Sequence, residues 1–377
     1  MKKICFISTI PQAANFHLVN HFLKLRQKYE VSFIASTTDT KYLRKIGVDV
    51  EVLNGKIQRE ISPLRDLRAL FCLFRLFRKN RFDAIHSLAP KAGFLSMLAG
   101  IIAGIPVRIH IFTGQVWVTK TGVMRFFLKV MDTLTAFMAT HNLVDSFSQR
   151  QFLLRNRVVS DSKSKVLAEG SVCGVDTSKF SPNPSERLKI RKGLNIPEKS
   201  LVYIFLGRLK KDKGVLDLAK AFIKLPLLQN PVHLLIVGSD EEGLEPKIRK
   251  ICTSYEKRLH FVSLTEFPEQ YLAAADVLCL PSYREGFGNV IIEGASTGIP
   301  SIASRIYGVM DAIQENETGL LHEAGNSDEL AAKMNMLLKD PKLRKKMGEN
   351  ALVHSRQHFS KETVTKAWFD YYQGIVG

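Results

Sequence analysis

The chain has 377 residues, 45% of them hydrophobic and 24% charged, and a formal net charge of +18. That length allows two domains with real cores, and the composition excludes a chain that is disordered throughout. Five scattered cysteines (Cys5, Cys72, Cys173, Cys252, Cys279) with no CxxC pair argue against a disulfide framework or a zinc site and for reduced thiols.

After Met1-Lys2-Lys3, the run Ile4-Cys5-Phe6-Ile7 is too short for a signal peptide and predicts a first core strand, Lys3–Ser8. Further strands are predicted at Val31–Ala35, Ala84–Ser87 and Arg108–Phe112. Between them, Pro63–Lys79 places Leu64, Leu67, Phe71, Phe74 and Phe77 on one helical stripe beside Arg65, Arg68, Arg75, Arg78 and Lys79. Val123–Leu134 carries Phe126, Phe127, Val130 and Met131 near Arg125 and Lys129. Such helices either pack on a sheet with their cations solvated or lie in an anionic membrane interface. The first 150 residues hold 22 Lys and Arg against nine Asp and Glu, which favours an anionic partner: membrane, phosphate-bearing substrate or nucleic acid. The longest apolar stretch, Gly93–Val107, falls short of the roughly 20 residues of a spanning helix.

The rhythm of strand and helix restarts near Leu201, after the Pro/Ser-rich stretch Phe180-Ser181-Pro182-Asn183-Pro184-Ser185, which reads as a linker. Strands are predicted at Leu201–Phe205, His233–Val237, Leu259–Val262, Val277–Leu280 and Pro300–Ala303, with helices at Val215–Leu225 and Leu330–Lys339. The alternation predicts two α/β domains, residues 1–180 and 181–358, facing each other across a cleft, with ligands at the carboxyl ends of the strands.

Chemistry concentrates in two segments of the second half. After Val277–Leu280 comes a loop with Glu285, Gly286, Phe287 and Gly288, and a helix beginning near Gly288, with Asn289 and Val290 in its first turn. Backbone amides at a helix start, together with the helix dipole, favour a phosphate. Glu293 is expected about two turns into that helix, facing the cleft with Glu285. In the other segment, Gly207, Arg208 and Lys213 follow a strand, where Arg208 offers a planar fork of donors and Lys213 a point charge.

The pair Glu285-x7-Glu293 lies inside EGFGNVIIEGASTGIP, after Ala274-Ala275-Asp276-Val277 and Leu280-Pro281-Ser282 and before Gly298-Ile299-Pro300. This block resembles the signature of glycosyltransferase family 4, the large retaining GT-B family. Phe205–Gly214 is similar to that family's donor-diphosphate loop, and Gly170-x3-Gly174-Val175-Asp176 through Phe180-Ser181-Pro182 to its entry into the interdomain linker. The resemblance covers essentially the whole chain. It implies a GT-B fold whose residues 359–377, with Trp368, Phe369 and Tyr371, form a closing helix on the first domain. It also implies roles. Glu293 binds the donor ribose, Glu285 contacts the transferred sugar, and the amides from Gly286 to Val290 hold the diphosphate with Gly207, Arg208 and Lys213. His110 stands near the reacting sugar, with His86 the weaker candidate, so the catalytic set is Glu285, His110, Arg208 and Lys213. No DxD pair is present, and no metal or other cofactor is expected.

Two departures stand out: Ser8–Phe16 lacks the glycines common after the family's first strand, and Val262-Ser263-Leu264 lacks another. The expected activity is retaining transfer from a nucleotide-sugar, a UDP-sugar first, to a lipid-linked saccharide in O-antigen or capsule assembly. The expected place is the cytoplasmic face of the inner membrane, bound peripherally through the basic first domain, with no nucleic acid partner. The alternatives are a sugar-nucleotide epimerase on the same fold and a basic non-enzymatic binding module.

Overall fold

The computed structural model describes residues 1–58, 60–226 and 231–377. The chain forms two compact units, Met1–Cys173 with Lys361–Gly377 and Gly174–Ser360.

The first unit is built on seven strands: β1 (Lys3–Ile7), β2 (Glu30–Ala35), β3 (Glu51–Asn54), β4 (Ala84–Leu88), β5 (Val107–Phe112), β6 (His141–Val144) and β7 (Ser164–Lys165). They run in the order β3-β2-β1-β4-β5-β6-β7, all parallel. A central strand covered on both faces must be apolar throughout. In β1, Ile4 and Phe6 enter one core layer while Cys5 and Ile7 enter the other. Over the second layer, helices Pro63–Asn80, Pro90–Ala103 and Gly122–Met138 lie side by side. Helix Lys361–Val376 closes the first layer against helix Val19–Leu25. Its Trp368 stacks on His21 at 4.1 Å between ring centroids, and the Tyr372 hydroxyl lies 2.6 Å from His86 Nδ1.

The second unit carries β8 (Leu201–Leu206), β9 (Val232–Val237), β10 (Leu259–Val262), β11 (Val277–Leu280), β12 (Ser301–Ser304) and β13 (Gly319–His322). Their order is β10-β9-β8-β11-β12-β13, again all parallel. Both sheets are therefore doubly wound, with the order reversing between β1 and β4 and between β8 and β11.

Three expectations change. The unit boundary falls at Cys173/Gly174, ahead of the Pro/Ser stretch. Phe180 is buried in the second unit's core, and the helix that follows, Pro184–Gly193, is tied to the same unit. Arg191 and Arg187 both grip Asp276, at 2.8 and 2.6 Å. Strands β3, β6, β7 and β13 join those predicted. Lastly, the stripe on Pro63–Asn80 is divided: Phe77 is buried, whereas Leu64 is 78% exposed.

Candidate active site

In a doubly wound sheet the loops diverge at the point of reversal, leaving a crevice beyond the strand ends. In the second unit that point lies where β8 runs into Gly207–Gly214 and β11 runs into Pro281–Gly288. The two loops press together through Gly214. Its φ is +67°, and a Cβ there would stand 1.9 Å from the carbonyl oxygen of Pro281. Only glycine tolerates both that conformation and that approach.

Side chains then cross-link the loops. Lys213 Nζ donates to Glu285 Oε1 at 2.6 Å, and the Ser282 hydroxyl donates to the same oxygen at 2.8 Å. Arg284 pairs with Asp212 at 3.1 Å. The Tyr283 hydroxyl donates to Asp217 at 2.6 Å, and this bond, reinforced by burial, pushes the phenol up to about 12. Arg208, on the same loop as Lys213, is held only loosely by Glu241 at 3.4 Å.

Gly288 caps the next helix, Asn289–Ser296, with φ +83° and no capping side chain. The helix starts at the carboxyl edge of the sheet, with its positive dipole end beside the Glu285 loop. Glu293 is its fifth residue, so it stands just over one turn in rather than two. Burial raises its carboxyl to about 7; Lys179 lowers it and Glu269 raises it further. Lys179 and Glu269 themselves pair at 3.4 Å. Lys179 is positioned by a turn in which Asp176 Oδ1 accepts from the amides of Ser178 and Lys179.

Comparison with known proteins decides what this constellation belongs to. A family model described as Glycosyl transferases group 1 matches residues 186–353, and a Glycosyl transferase 4-like domain model matches residues 22–168. The chain is a GT-B glycosyltransferase of the family 4 type. It is 28% identical over 342 residues to the capsular polysaccharide biosynthesis glycosyltransferase CapM of Staphylococcus aureus, covering 86% of this chain and 89% of that one. It is also 28% identical over 275 residues to the UDP-Gal:α-D-GlcNAc-diphosphoundecaprenol α-1,3-galactosyltransferase of Escherichia coli, covering 72% and 70%. In fold it is similar to Anabaena HepE, solved in complex with UDP, with a TM-score of 0.82, 21% identity and both chains covered in full.

The transferase brings together Gly207, Arg208, Lys213, Glu285, Gly286, Phe287, Gly288, Asn289, Val290 and Glu293 within one unit, on loops and a helix at one sheet edge. His110 differs from expectation. It lies inside β5, two residues before the strand ends, and is buried. Its Nδ1 stands 2.8 Å from the Ser87 hydroxyl, and the ring lies so close to Gly93 that a Cβ there would meet it at 2.4 Å. Burial lowers its pKa to about 3, so the ring is neutral at ordinary pH. The first residue past the end of β5 is Thr113, which is exposed. His86 is likewise a core residue of the transferase, stacked on Trp368 at 4.9 Å.

Sequence reasoning missed Ser282, Asp212, Asp217, Lys179 and Glu269. All but Ser282, which bonds Glu285 three residues on, act through partners distant along the chain, and pairing of that kind leaves no local spacing to read. Among the described residues, no group of three or more His, Cys, Asp or Glu could hold a metal ion, and no helix is long and apolar enough to cross a membrane.

Proposed function

We propose that the protein is a retaining glycosyltransferase that moves a sugar from a UDP-sugar to a lipid-diphosphate-linked saccharide in assembly of a bacterial surface polysaccharide. The observation that carries this reading is the Lys213–Glu285 pair at the β8/β11 reversal, beside the start of helix Asn289–Ser296. Cleaving a sugar from a nucleoside diphosphate builds negative charge on the departing β-phosphate, and fixed positive groups there lower the barrier. Lys213, Arg208 and the helix start supply them, so the reading needs no metal ion.

At rest Glu285, itself held by the Ser282 hydroxyl, holds Lys213 in place. With donor bound, sugar hydroxyls donate to Glu285 and the lysine faces the phosphate. Glu293 accepts from the ribose hydroxyls. Retention follows a same-face displacement in which the leaving phosphate takes the acceptor proton. The relatives support the substrates: one is named for capsule synthesis, one for a UDP-sugar donor and a diphosphoundecaprenol acceptor. The cationic first unit supports peripheral binding to an anionic membrane, on the cytoplasmic side where nucleotide-sugars are made.

A thermal-shift panel of UDP-, GDP- and ADP-sugars tests the donor site. Ligand at 100 times its Kd should stabilise the fold by about 2.7 kcal/mol. We expect that response for a UDP-sugar, and its loss in Glu293→Ala. Lys213→Met should keep the fold and lower transfer by on the order of 100- to 1,000-fold. Normal turnover in the Lys213 variant would sink the assignment of the leaving-group site.

A further inference from the structure

Asp145 is the first residue past β6, at the carboxyl edge of the first unit's sheet. Its backbone is held on both sides. The amide donates at 3.3 Å to the carbonyl of Phe112, the last residue of β5, and the carbonyl accepts from the Ser171 amide at 2.8 Å. The residue is only 5% exposed, and its Oδ1 is buried with no hydrogen-bond partner among the described residues. Burial pushes the carboxyl well above the ordinary aspartate range. Asp132, also buried in this unit, makes the contrast, since Trp117 Nε1 donates to it at 2.9 Å. A buried acceptor left unpaired destabilises the fold, so its presence in a native protein needs an explanation.

A second such oxygen follows four residues on. Ser146 caps helix Phe147–Arg155, its side chain accepting from the Gln149 amide at 3.3 Å. Gln149 is fully buried; its Nε2 donates to Gln115 Oε1 at 3.2 Å, and its own Oε1 has no partner among the described residues. Gln115 is also buried and lies in the loop after β5. The carboxyl ends of β5 and β6 thus hold a carboxylate and an amide oxygen, both acceptors that lack a donor. Two such oxygens are too few for a calcium ion, which takes six to eight. They suit a neutral ligand with several hydroxyl donors, and a saccharide is such a ligand. Ligands of parallel sheets sit at this edge. The loops of the proposed donor site lie wholly in the second unit, which leaves the edge of the first to the other substrate.

We propose that Asp145 and Gln149 bind hydroxyl groups of the acceptor saccharide at the carboxyl ends of β5 and β6. This rests on the transferase reading above and adds to it named residues for the acceptor. Sugar hydroxyls donate to Asp145 Oδ1 and Gln149 Oε1, supplying the two donors that the fold withholds. Asp145 is thereby kept for binding at some loss of stability, a common trade at functional sites.

Sugar transfer by the full chain, from the UDP-sugar that stabilises it best, reads the site. The acceptors are α-GlcNAc-diphosphoundecaprenol and its N-acetylgalactosamine counterpart, each varied in concentration. We expect Asp145→Asn to raise the acceptor KM by on the order of 10- to 100-fold, the loss of a hydrogen bond to a charged group. Gln149→Met, which removes a neutral acceptor, should raise it by roughly threefold to tenfold. In Asp145→Asn, stabilisation by UDP and the slow hydrolysis of the UDP-sugar by water should stay at wild-type levels. Its Tm at pH 8 should rise, because a buried carboxyl without a partner has gone. Asp132→Asn should leave the acceptor KM unchanged. A carboxyl satisfied by an internal water predicts the opposite pattern, an unchanged acceptor KM with a lower Tm. Either result in Asp145→Asn overturns the proposal. A wild type that does not respond to UDP would count against the transferase reading itself. If UDP stabilises wild type but neither lipid accepts sugar, the acceptor class fails and this assignment fails with it.

Discussion

Glu293 opens the second turn of helix Asn289–Ser296 with its carboxyl desolvated, so its proton leaves only near pH 7. In the unfolded chain the same group ionises near 4.5. Between those values the folded state holds a proton that the unfolded state has released. Its contribution to stability is full below about 4.5 and is lost as pH rises through about 7. Glu293→Gln should flatten that limb and be more stable than wild type at pH 8, as read from urea midpoints at pH 5 and pH 8. In its proposed role Glu293 accepts from the ribose hydroxyls, and the ionised carboxylate is the stronger acceptor. UDP affinity should therefore climb from pH 6 to pH 8 with release of a proton, and calorimetry in buffers of different ionisation enthalpy measures both. His110 makes the opposite case, a titratable side chain used for packing. His110→Ala opens a cavity beside Gly93 and leaves the Ser87 hydroxyl only its longer bond to the Ile109 carbonyl, at a cost of about 2–4 kcal/mol. We expect a lower Tm with turnover retained at low temperature. A thousandfold loss of turnover at unchanged Tm would place the ring at the chemistry instead.

Elements meet where their backbones can approach, and Gly214 is the tightest such place in the proposed donor site. Gly214→Ala must force the Pro281 carbonyl away, separating the Lys213 loop from the Glu285 loop. Gly47 also has a left-handed φ, +79°, but nothing stands within 4 Å of a Cβ there. Gly47→Ala should cost about 1 kcal/mol through backbone strain alone. Gly214→Ala should cost more than that and abolish the UDP response, with thermal shift reading both. The sheet cores were legible because a strand such as Leu201–Leu206 is an unbroken apolar run closed by glycine. Strand β13 begins with Gly319, and β6 reads His-Asn-Leu-Val, so neither carries enough of the pattern to be seen alone. The Glu285 loop was legible as a block of residue types. Its cross-links to Asp212, Lys213 and Asp217 were not, since they depend on strand order rather than on spacing. Helices Pro63–Asn80 and Gly122–Met138 were legible as stripes, but periodicity does not say which side of a stripe faces the sheet. Asp132, bonded to Trp117 within the unit, settles that for Gly122–Met138.

At the scale of the molecule, the first unit is made of two separate stretches of chain. Val364, Trp368, Tyr372 and Val376 complete its core from the far end of the sequence. Ending the chain at Ser360 removes these side chains while leaving every residue of the second unit in place. Limited proteolysis of that truncation should degrade the first unit and leave a protected fragment near residues 174–360, whereas equal resistance of both would show that the helix adds little.

The same arrangement has a bearing on how the protein is made. A ribosome finishes the whole second unit before it supplies the last piece of the first. At about 5–20 residues per second, the roughly 200 residues after Cys173 take on the order of 10–40 s. Throughout that interval the nascent first unit lacks Trp368 and leaves Phe6 and His86 uncovered. The later-encoded unit is thus the first able to mature, and the earlier one waits for its closing helix.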